Sequence, residues 1–460
     1  VVLHESLLDL VGGTPLVRLR RIADGIAARV YVKLEYLNPG GSVKDRAALW
    51  MVRAAEASGA LAPGGTVVES TSGNTGMGLA QAAAAAGYKM IAVVPNTIAV
   101  EKIDILRAYG AEVVITAAGL PREHPEHVNR LADRIAAETP GGWWANQYDN
   151  PANPQAHRDG TGPEIWADTD GAITHLVAGI GTGGTISGTG EHLKRVSGGR
   201  VRVIGADPAT SRYNGGDGSP FFVEASGHYM HPDTADDVWP QSYHRDAVDR
   251  IEVVSDRESI LTVRALARLE GMLLGGSSGL VVAAALRAAR ELGPEHLVVA
   301  VLPDSGRSYL SKYHSDTWLR RLGFLDDDRP GLLAAAGLTG PVHTVTPRTS
   351  LSEAVALVDD QAGLPVVLAG RDPRFGTASS EILGVLDPAD LRAAAERGDT
   401  AVPPAAAPFT VGTGETAAEA LARVDGAGAR TALVLRDGRL AGLVTRDRLA
   451  ALAADATTAV

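Results

Sequence analysis

The stretch TVVESTSGNTGMGLAQAAAAA, residues 66–86, reads as a strand, a polar loop and a helix in direct succession. The β-branched run at 66–69 predicts a buried strand, and 76–86 predicts a helix. Between them, Ser70-Thr71-Ser72-Gly73-Asn74-Thr75-Gly76 packs hydroxyls, an amide and backbone N–H groups onto a helix N-terminus. That arrangement suits an anion such as an amino-acid carboxylate. The competing reading is a plain polar turn, which needs fewer glycines and hydroxyls than stand here.

The same alternation extends on both sides. Strands are predicted at 30–34, 89–94, 111–115, 174–178, 201–206 and 296–301. Helices are predicted at 43–58, 100–108, 126–138, 185–195, 255–270 and 279–292. Strand–helix alternation argues for an α/β architecture with parallel sheets. Several strands are apolar throughout, as expected when both faces are covered. Residues 207–249 break the rhythm with Gly, Pro, Asp and scattered aromatics, and a loop that long is often functional.

Asp326-Asp327-Asp328-Arg329-Pro330-Gly331 joins a charge run to two breakers and predicts a linker at 324–340. It separates a core at 1–323 from a module at 341–460. The module holds a weak internal repeat, 341–391 and 407–449, each copy reading strand, helix, two strands, helix.

The 460 residues carry a net charge of −11 and contain no cysteine. Disulfides, thiolate metal sites and a cysteine nucleophile are therefore excluded. An acidic chain without a basic patch predicts no nucleic-acid partner and no anionic membrane surface. No apolar run approaches the roughly 20 residues of a membrane span. The opening Val1-Val2-Leu3-His4-Glu5 lacks signal-peptide character, so a cytoplasmic location is expected. His124 and His127 lie in a loop rich in Pro and Glu, and no histidine cluster has metal spacing.

Four further stretches carry chemistry. In Asn38-Pro39-Gly40-Gly41-Ser42-Val43-Lys44-Asp45-Arg46, Ser42 can cap a helix whose first turn holds Lys44. The positive helix end would lower the lysine pKa, as a Schiff-base amine requires. Taken alone, a surface lysine paired with Asp45 is the simpler reading. Gly179-Ile180-Gly181-Thr182-Gly183-Gly184-Thr185 follows a strand and forms a glycine nest that suits phosphate. It also matches G-x-G-x-x-G, with Asp207 near the spacing of a ribose contact, so a nicotinamide-binding domain competes. The glycine-rich continuation to Gly190 and the mid-chain position weigh against that competitor. Gly275-Gly276-Ser277-Ser278-Gly279 is another glycine-rich turn before a helix. Leu302-Pro303-Asp304-Ser305-Gly306-Arg307 follows the last strand, where Ser305 can reach a crevice ligand.

Together, GGTPLVRL (12–19), LEYLNPGGSVKDRAA (34–48), STSGNTGMGLA (70–80), NQYDNPANPQAH (146–157), GIGTGGTISGTG (179–190), GGSSG (275–279) and LPDSGRSYLSKY (302–313) resemble the β family of pyridoxal-phosphate enzymes, its cystathionine β-synthases most closely. The resemblance implies a two-subdomain, parallel-sheet fold type II core, with a tandem β-α-β-β-α regulatory (CBS-type) module behind it. It implies that Lys44 is the catalytic residue and forms the internal aldimine with pyridoxal 5'-phosphate. Asn74 would bond the ring hydroxyl, Gly181, Thr182, Gly183, Gly184 and Thr185 the phosphate, and Ser305 the pyridine nitrogen. Thr71, Ser72, Thr75 and Gln147 would hold the substrate carboxylate. The implied reaction joins L-serine and L-homocysteine through an aminoacrylate to give cystathionine and water. O-acetylserine with sulfide is the alternative pair. A homodimer or higher homo-oligomer is implied.

Three departures from the family shape the expectations. The motifs begin by residue 12 without cysteine, so no haem is expected, and no metal. The segment 223–232 differs from the family's usual VEGIGxDF, and an insertion appears to run through about 243, which bears on the thiol. The repeat signature G-h-h-[ST]-x-x-D, with h apolar, is broken twice. The first copy, Gly384 to Asp390, lacks the hydroxyl, and the second, Gly442 to Arg448, lacks the acid. A dimerisation or structural role is expected over adenosyl-ligand binding.

Overall fold

The computed structural model describes residues 3–71, 73–325, 342–360, 365–371 and 376–458. The chain forms two compact units, Val1–Gly218 with Val223–Leu310, and Ser219–Phe222 with Ser311–Val460. Among the described residues no helix is long and apolar enough to cross a membrane.

In chain order the first unit contains β1 (Leu16–Arg18), β2 (Arg29–Leu34), α1 (Lys44–Ser58), β3 (Thr66–Ser70), α2 (Asn74–Ala86), β4 (Lys89–Pro95), α3 (Val100–Ala108), β5 (Glu112–Thr116), α4 (Val128–Glu138) and β6 (Gly142–Trp144). There follow α5 (Ala152–Ala156), a π turn at His157–Thr161, α6 (Gly162–Asp168), β7 (His175–Gly179), α7 (Gly184–Ser197), β8 (Arg202–Pro208), β9 (Arg250–Val254), α8 (Asp256–Leu269), α9 (Gly276–Ala289) and β10 (Leu297–Leu302).

These strands make two sheets. One is four-stranded, in the order β5-β4-β3-β6, and parallel throughout. The other is six-stranded, in the order β1-β2-β10-β7-β8-β9, with only the β1–β2 pair antiparallel. Every residue of β3 and of β10 is buried, which explains their lack of polar alternation. The apolar faces of α1 and α2 share one core with β3 and β4. A second core gathers α7, β7, β8 and β10. The fold is thus the two-sheet α/β architecture expected. Parallel strands deliver their loops to one edge, where a crevice ligand binds. The carboxyl ends of β3, β7 and β10 lead into the three candidate loops.

The expected strands and helices are found within a few residues of their predicted bounds. The short β1, β6 and β9, and the run α5, π turn, α6, were not anticipated. The long loop persists between β8 and β9, with only single 3₁₀ turns at Arg212–Asn214 and Arg245–Ala247.

The second unit opens with α10 (Asp316–Leu322). Its two repeats are β11 (Thr344–Val345), α11 (Leu351–Asp360), β12 (Val366–Ala369), β13 (Ile382–Leu386), α12 (Pro388–Glu396), then β14 (Thr410–Gly412), α13 (Ala417–Ala427), β15 (Thr431–Arg436), β16 (Arg439–Thr445), α14 (Arg446–Thr458). Each copy forms a three-stranded sheet of the same order and pairing, parallel then antiparallel. Val367 and Ile382 of one copy and Leu433, Leu435 and Leu443 of the other meet in a shared core. Most of the expected linker, from residue 326, lies outside the described residues. The compact units divide at 310/311 rather than 323. The charge run is visible in composition, but the packing of Trp318 and Phe324 against Phe222 is not.

Candidate active site

Lys44 is the first residue of α1. Ser42 accepts its N–H at 3.2 Å, while Val43 takes the cap position. The loop before it is tied to the loop after β10: Val43 N–H donates to the Pro303 carbonyl at 2.8 Å, and Ser305 N–H to that of Gly41 at 3.3 Å. Lys44 Nζ lies 3.4 Å from Thr182 Oγ1. Its pKa is lowered to about 8, first by burial, with Glu69 pulling the other way. Desolvation, not the helix field alone, therefore favours the neutral amine. Asp45 is not its partner. That carboxylate is buried, accepts the Gly40 N–H, and is pushed up to about 7 by burial. Below Lys44, Arg46 is buried between Glu35 at 2.7 Å and Glu164 at 2.6 Å, and Lys33 adds a second cation at 2.8 Å from Glu164. This network fixes the first turn of α1.

In the loop after β3, Thr71 Oγ1 accepts the N–H groups of Gly73 and Gly76, both at 3.0 Å. Its own hydrogen is left to donate. Ser72 lies outside the described residues. Thr75 Oγ1 donates to Gln147 Oε1 at 2.6 Å, and both side chains are buried. Asn74 Nδ2 donates to Asp304 Oδ2 at 2.7 Å, which also accepts the Tyr309 hydroxyl at 2.6 Å. Burial pushes the Asp304 carboxyl up, and its Oδ1 has no hydrogen-bond partner among the described residues. Ser305 sits beside it and accepts the Arg307 N–H at 3.3 Å.

The sequence reading missed Glu69, Asp304 and Lys102. Glu69 ends the apolar run of β3 and is fully buried. It accepts the Gln147 N–H at 3.4 Å and is pushed up to about 8 by burial. An acid inside a buried strand was the available signal. Lys102 on α3 lies against Gly73, pairs with Glu224 of the long loop, and stands 4.7 Å over the Tyr309 ring.

The loop after β7 turns at Gly183, whose φ of +88° favours glycine, and α7 starts at Gly184. A Cβ at Gly183 would collide with Tyr243, and one at Gly184 with Asn153. Thr182 Oγ1 accepts Asn153 Nδ2 at 3.1 Å, and the Tyr213 hydroxyl donates to the Gly181 carbonyl at 2.8 Å. First-turn N–H groups of a helix have no intrahelical acceptor and favour an anion. Asp207, placed for a ribose in the competing reading, is buried and receives Asn214 at 2.8 Å. His127 caps α4 and His124 braces its own loop. Among the described residues no group could hold a metal ion.

A half-buried lysine of lowered pKa beside a glycine cradle at a helix start fits an aldehyde that carries a phosphate. The family profile described as pyridoxal-phosphate dependent enzyme matches residues 7–304. The chain belongs to this family. It is 43% identical over 322 residues to a cystathionine beta-synthase of Apis mellifera, covering 70% of this chain and 63% of that protein. The chain therefore spans less than two thirds of that relative. It is 44% identical over 313 residues to a probable cysteine synthase of Bacillus subtilis (strain 168), covering 67% of this chain and 96% of that one. Among solved structures, the O-acetylserine dependent cystathionine beta-synthase from Helicobacter pylori superposes with a TM-score of 0.61 at 34% identity, covering 68% of this chain and 99% of that one.

Proposed function

We propose that the protein replaces the β-hydroxyl of L-serine with the thiol of L-homocysteine, giving cystathionine and water. Bound pyridoxal phosphate would supply an electron sink that makes the serine Cα–H acidic. Gly181 to Thr185 would hold its phosphate, Asn74 would bond its ring hydroxyl, and Ser305 would meet its ring nitrogen. A neutral serine hydroxyl there does not keep that nitrogen protonated, which favours β-elimination over transamination. Neutral Lys44 takes the Cα proton and later returns it. Thr71 offers its hydroxyl hydrogen to the substrate carboxylate. Gln147, whose oxygen is engaged by Thr75, offers its amide N–H, and Ser72 completes the set.

The observation that carries homocysteine over sulfide is the Lys102–Glu224 pair beside Gly73. A cation and an anion side by side match the carboxylate and ammonium of an amino-acid thiol; sulfide has neither. The test is product analysis with serine plus homocysteine, O-acetylserine plus homocysteine, and O-acetylserine plus sulfide. Cystathionine from the first pair is expected. Cysteine from the last pair alone would make the protein a cysteine synthase. Lys102→Gln should raise the homocysteine KM roughly tenfold, the scale of one charge-assisted contact, and leave sulfide use unchanged.

For the C-terminal repeats we propose dimerisation rather than adenosyl-ligand binding. Arg448 stands where a ribose-binding acid is needed, and its N–H donates to Thr445 Oγ1 at 3.3 Å.

A further inference from the structure

We propose that His157 is a positioning residue for the phosphate loop: by donating from Nε2 to Thr185 Oγ1, it leaves the Thr185 hydroxyl hydrogen to point at the bound phosphate. The inference rests on the reading of Gly181 to Thr185 as that loop.

His157 is fully buried and opens the π turn at His157–Thr161. Its Nδ1 lies 2.9 Å from Thr161 Oγ1, and its Nε2 lies 3.2 Å from Thr185 Oγ1. A neutral imidazole has one donor and one acceptor nitrogen, so two tautomers are conceivable. With the proton on Nδ1, Nε2 would take the Thr185 hydrogen. The hydroxyl would then present only lone pairs to an anion. With the proton on Nε2, the Thr185 oxygen accepts and its hydrogen is released toward the anion. Thr161 completes the relay by donating to Nδ1. A site built for phosphate selects the second arrangement.

The surroundings keep the ring neutral. Burial pushes its pKa well below the usual value, and Arg46 and Lys44 push the same way against Glu164. A protonated imidazole would need two acceptors, and its Nδ1 proton would disrupt the relay. The ring sits at the start of a π turn, a geometry that recurs at functional sites. One turn earlier Asn153 Nδ2 braces Thr182 at 3.1 Å and the Gln147 carbonyl at 2.8 Å. The segment 153–161 thus supports the loop from beneath at Thr182 and again at Thr185.

The test uses the full-length protein stripped of cofactor. Dissociation constants for pyridoxal 5'-phosphate and for pyridoxal, which lacks the phosphate, are measured for the wild type, His157→Phe, Thr185→Val and the double variant. Each single variant should weaken the phosphorylated aldehyde about tenfold, the scale of one charge-assisted hydrogen bond, and leave pyridoxal unchanged. The double variant should be no worse than Thr185→Val, and the ³¹P resonance of the bound phosphate should move in all three. Equal weakening of both aldehydes, or additive losses, would overturn the proposal. Should His157→Phe not fold, Thr161→Val keeps the ring but removes its Nδ1 donor, and a phosphate-selective loss is again expected. Nitrogen NMR of the wild type reads the tautomer directly, and a proton on Nδ1 would overturn the proposal. A wild type that binds both aldehydes equally would instead refute the phosphate-loop reading itself.

Discussion

Lys44 and Glu69 influence each other's charge, and both carry their pKa shifts chiefly through burial. An amine must be neutral to capture an aldehyde, so the stripped protein should trap pyridoxal phosphate with a pH midpoint near 8, not 10.5. Below that midpoint the rate should fall roughly tenfold per pH unit. Borohydride capture at several pH values measures it, and a midpoint near 10 would contradict the desolvated amine. Lys44→Arg should abolish the adduct. Glu69→Gln removes the negative charge that raises the lysine pKa, so the midpoint should move lower. The same substitution reads out in stability. The folded pKa of Glu69 lies above its ordinary 4.5, so the native state holds a proton that the unfolded chain has released. Its contribution is complete below about 4.5 and is lost as pH rises toward 8, on the order of a few kcal/mol. Urea unfolding of Glu69→Gln should therefore show a flatter profile between pH 5 and 9. A variant whose stability falls as steeply as the wild type's would refute the assignment. At this scale, Lys44, Asn74, Thr75 and Gln147 could be singled out from the sequence because each stands in an extended motif. Glu69 and Lys102 could not, since each acts alone through a partner distant in sequence, and Asp304, though inside the motif after β10, is seen to meet Asn74 only in the fold.

The loop-to-helix junction at α7 depends on one residue more than on its neighbours. Gly183 has φ +88°, and a Cβ there would meet Tyr243 backbone atoms. Gly198 at the other end of α7 also has positive φ, at +63°, but opens onto space. Gly183→Ala should therefore cost about 1–3 kcal/mol from backbone strain plus further loss from the collision. It should also weaken pyridoxal phosphate at least tenfold. Gly198→Ala should cost about 1 kcal/mol and leave cofactor binding intact. Thermal melts and cofactor titration compare the two, and equal losses would refute the role of Gly183. The same physics explains which elements the sequence revealed. Buried parallel strands such as β10 are unbroken apolar runs and declare themselves. β6 is three residues of Gly and Trp, too short for any period. The run α5 to α6 is hidden by Pro151, Pro154 and Pro163, which read as loop residues. Pro154 lies in the first turn of α5 and Pro163 near the start of α6, where a missing N–H costs little.

At the scale of the whole chain, composition placed a division near the acidic run, whereas packing places it at 310/311. Ser219–Phe222 shows why. Those four residues lie within the long loop between β8 and β9 but group with the second unit. Phe222 has its ring 6.1 Å from that of Trp318 and 5.1 Å from that of Phe324, and its carbonyl accepts the Tyr313 hydroxyl at 2.8 Å. Arg439 donates to the Pro220 carbonyl at 2.9 Å. A chain ended after Leu310 loses all of these partners of the Phe222 ring and of the Pro220 and Phe222 carbonyls. Burial of one such ring is worth about 2 kcal/mol, and the lost hydrogen bonds add about 1 kcal/mol each. A chain ended after Leu325 keeps Tyr313, Trp318 and Phe324 and loses Arg439 and the packing of Gly438 on the Phe222 ring. Truncation after Leu325 should give a folded protein that binds pyridoxal phosphate. Truncation after Leu310 should melt several degrees lower and aggregate on heating. Calorimetry and cofactor absorbance on the two truncations decide it. If both melt alike, the segment 311–325 contributes nothing to the catalytic core, and its grouping with Phe222 has no energetic weight.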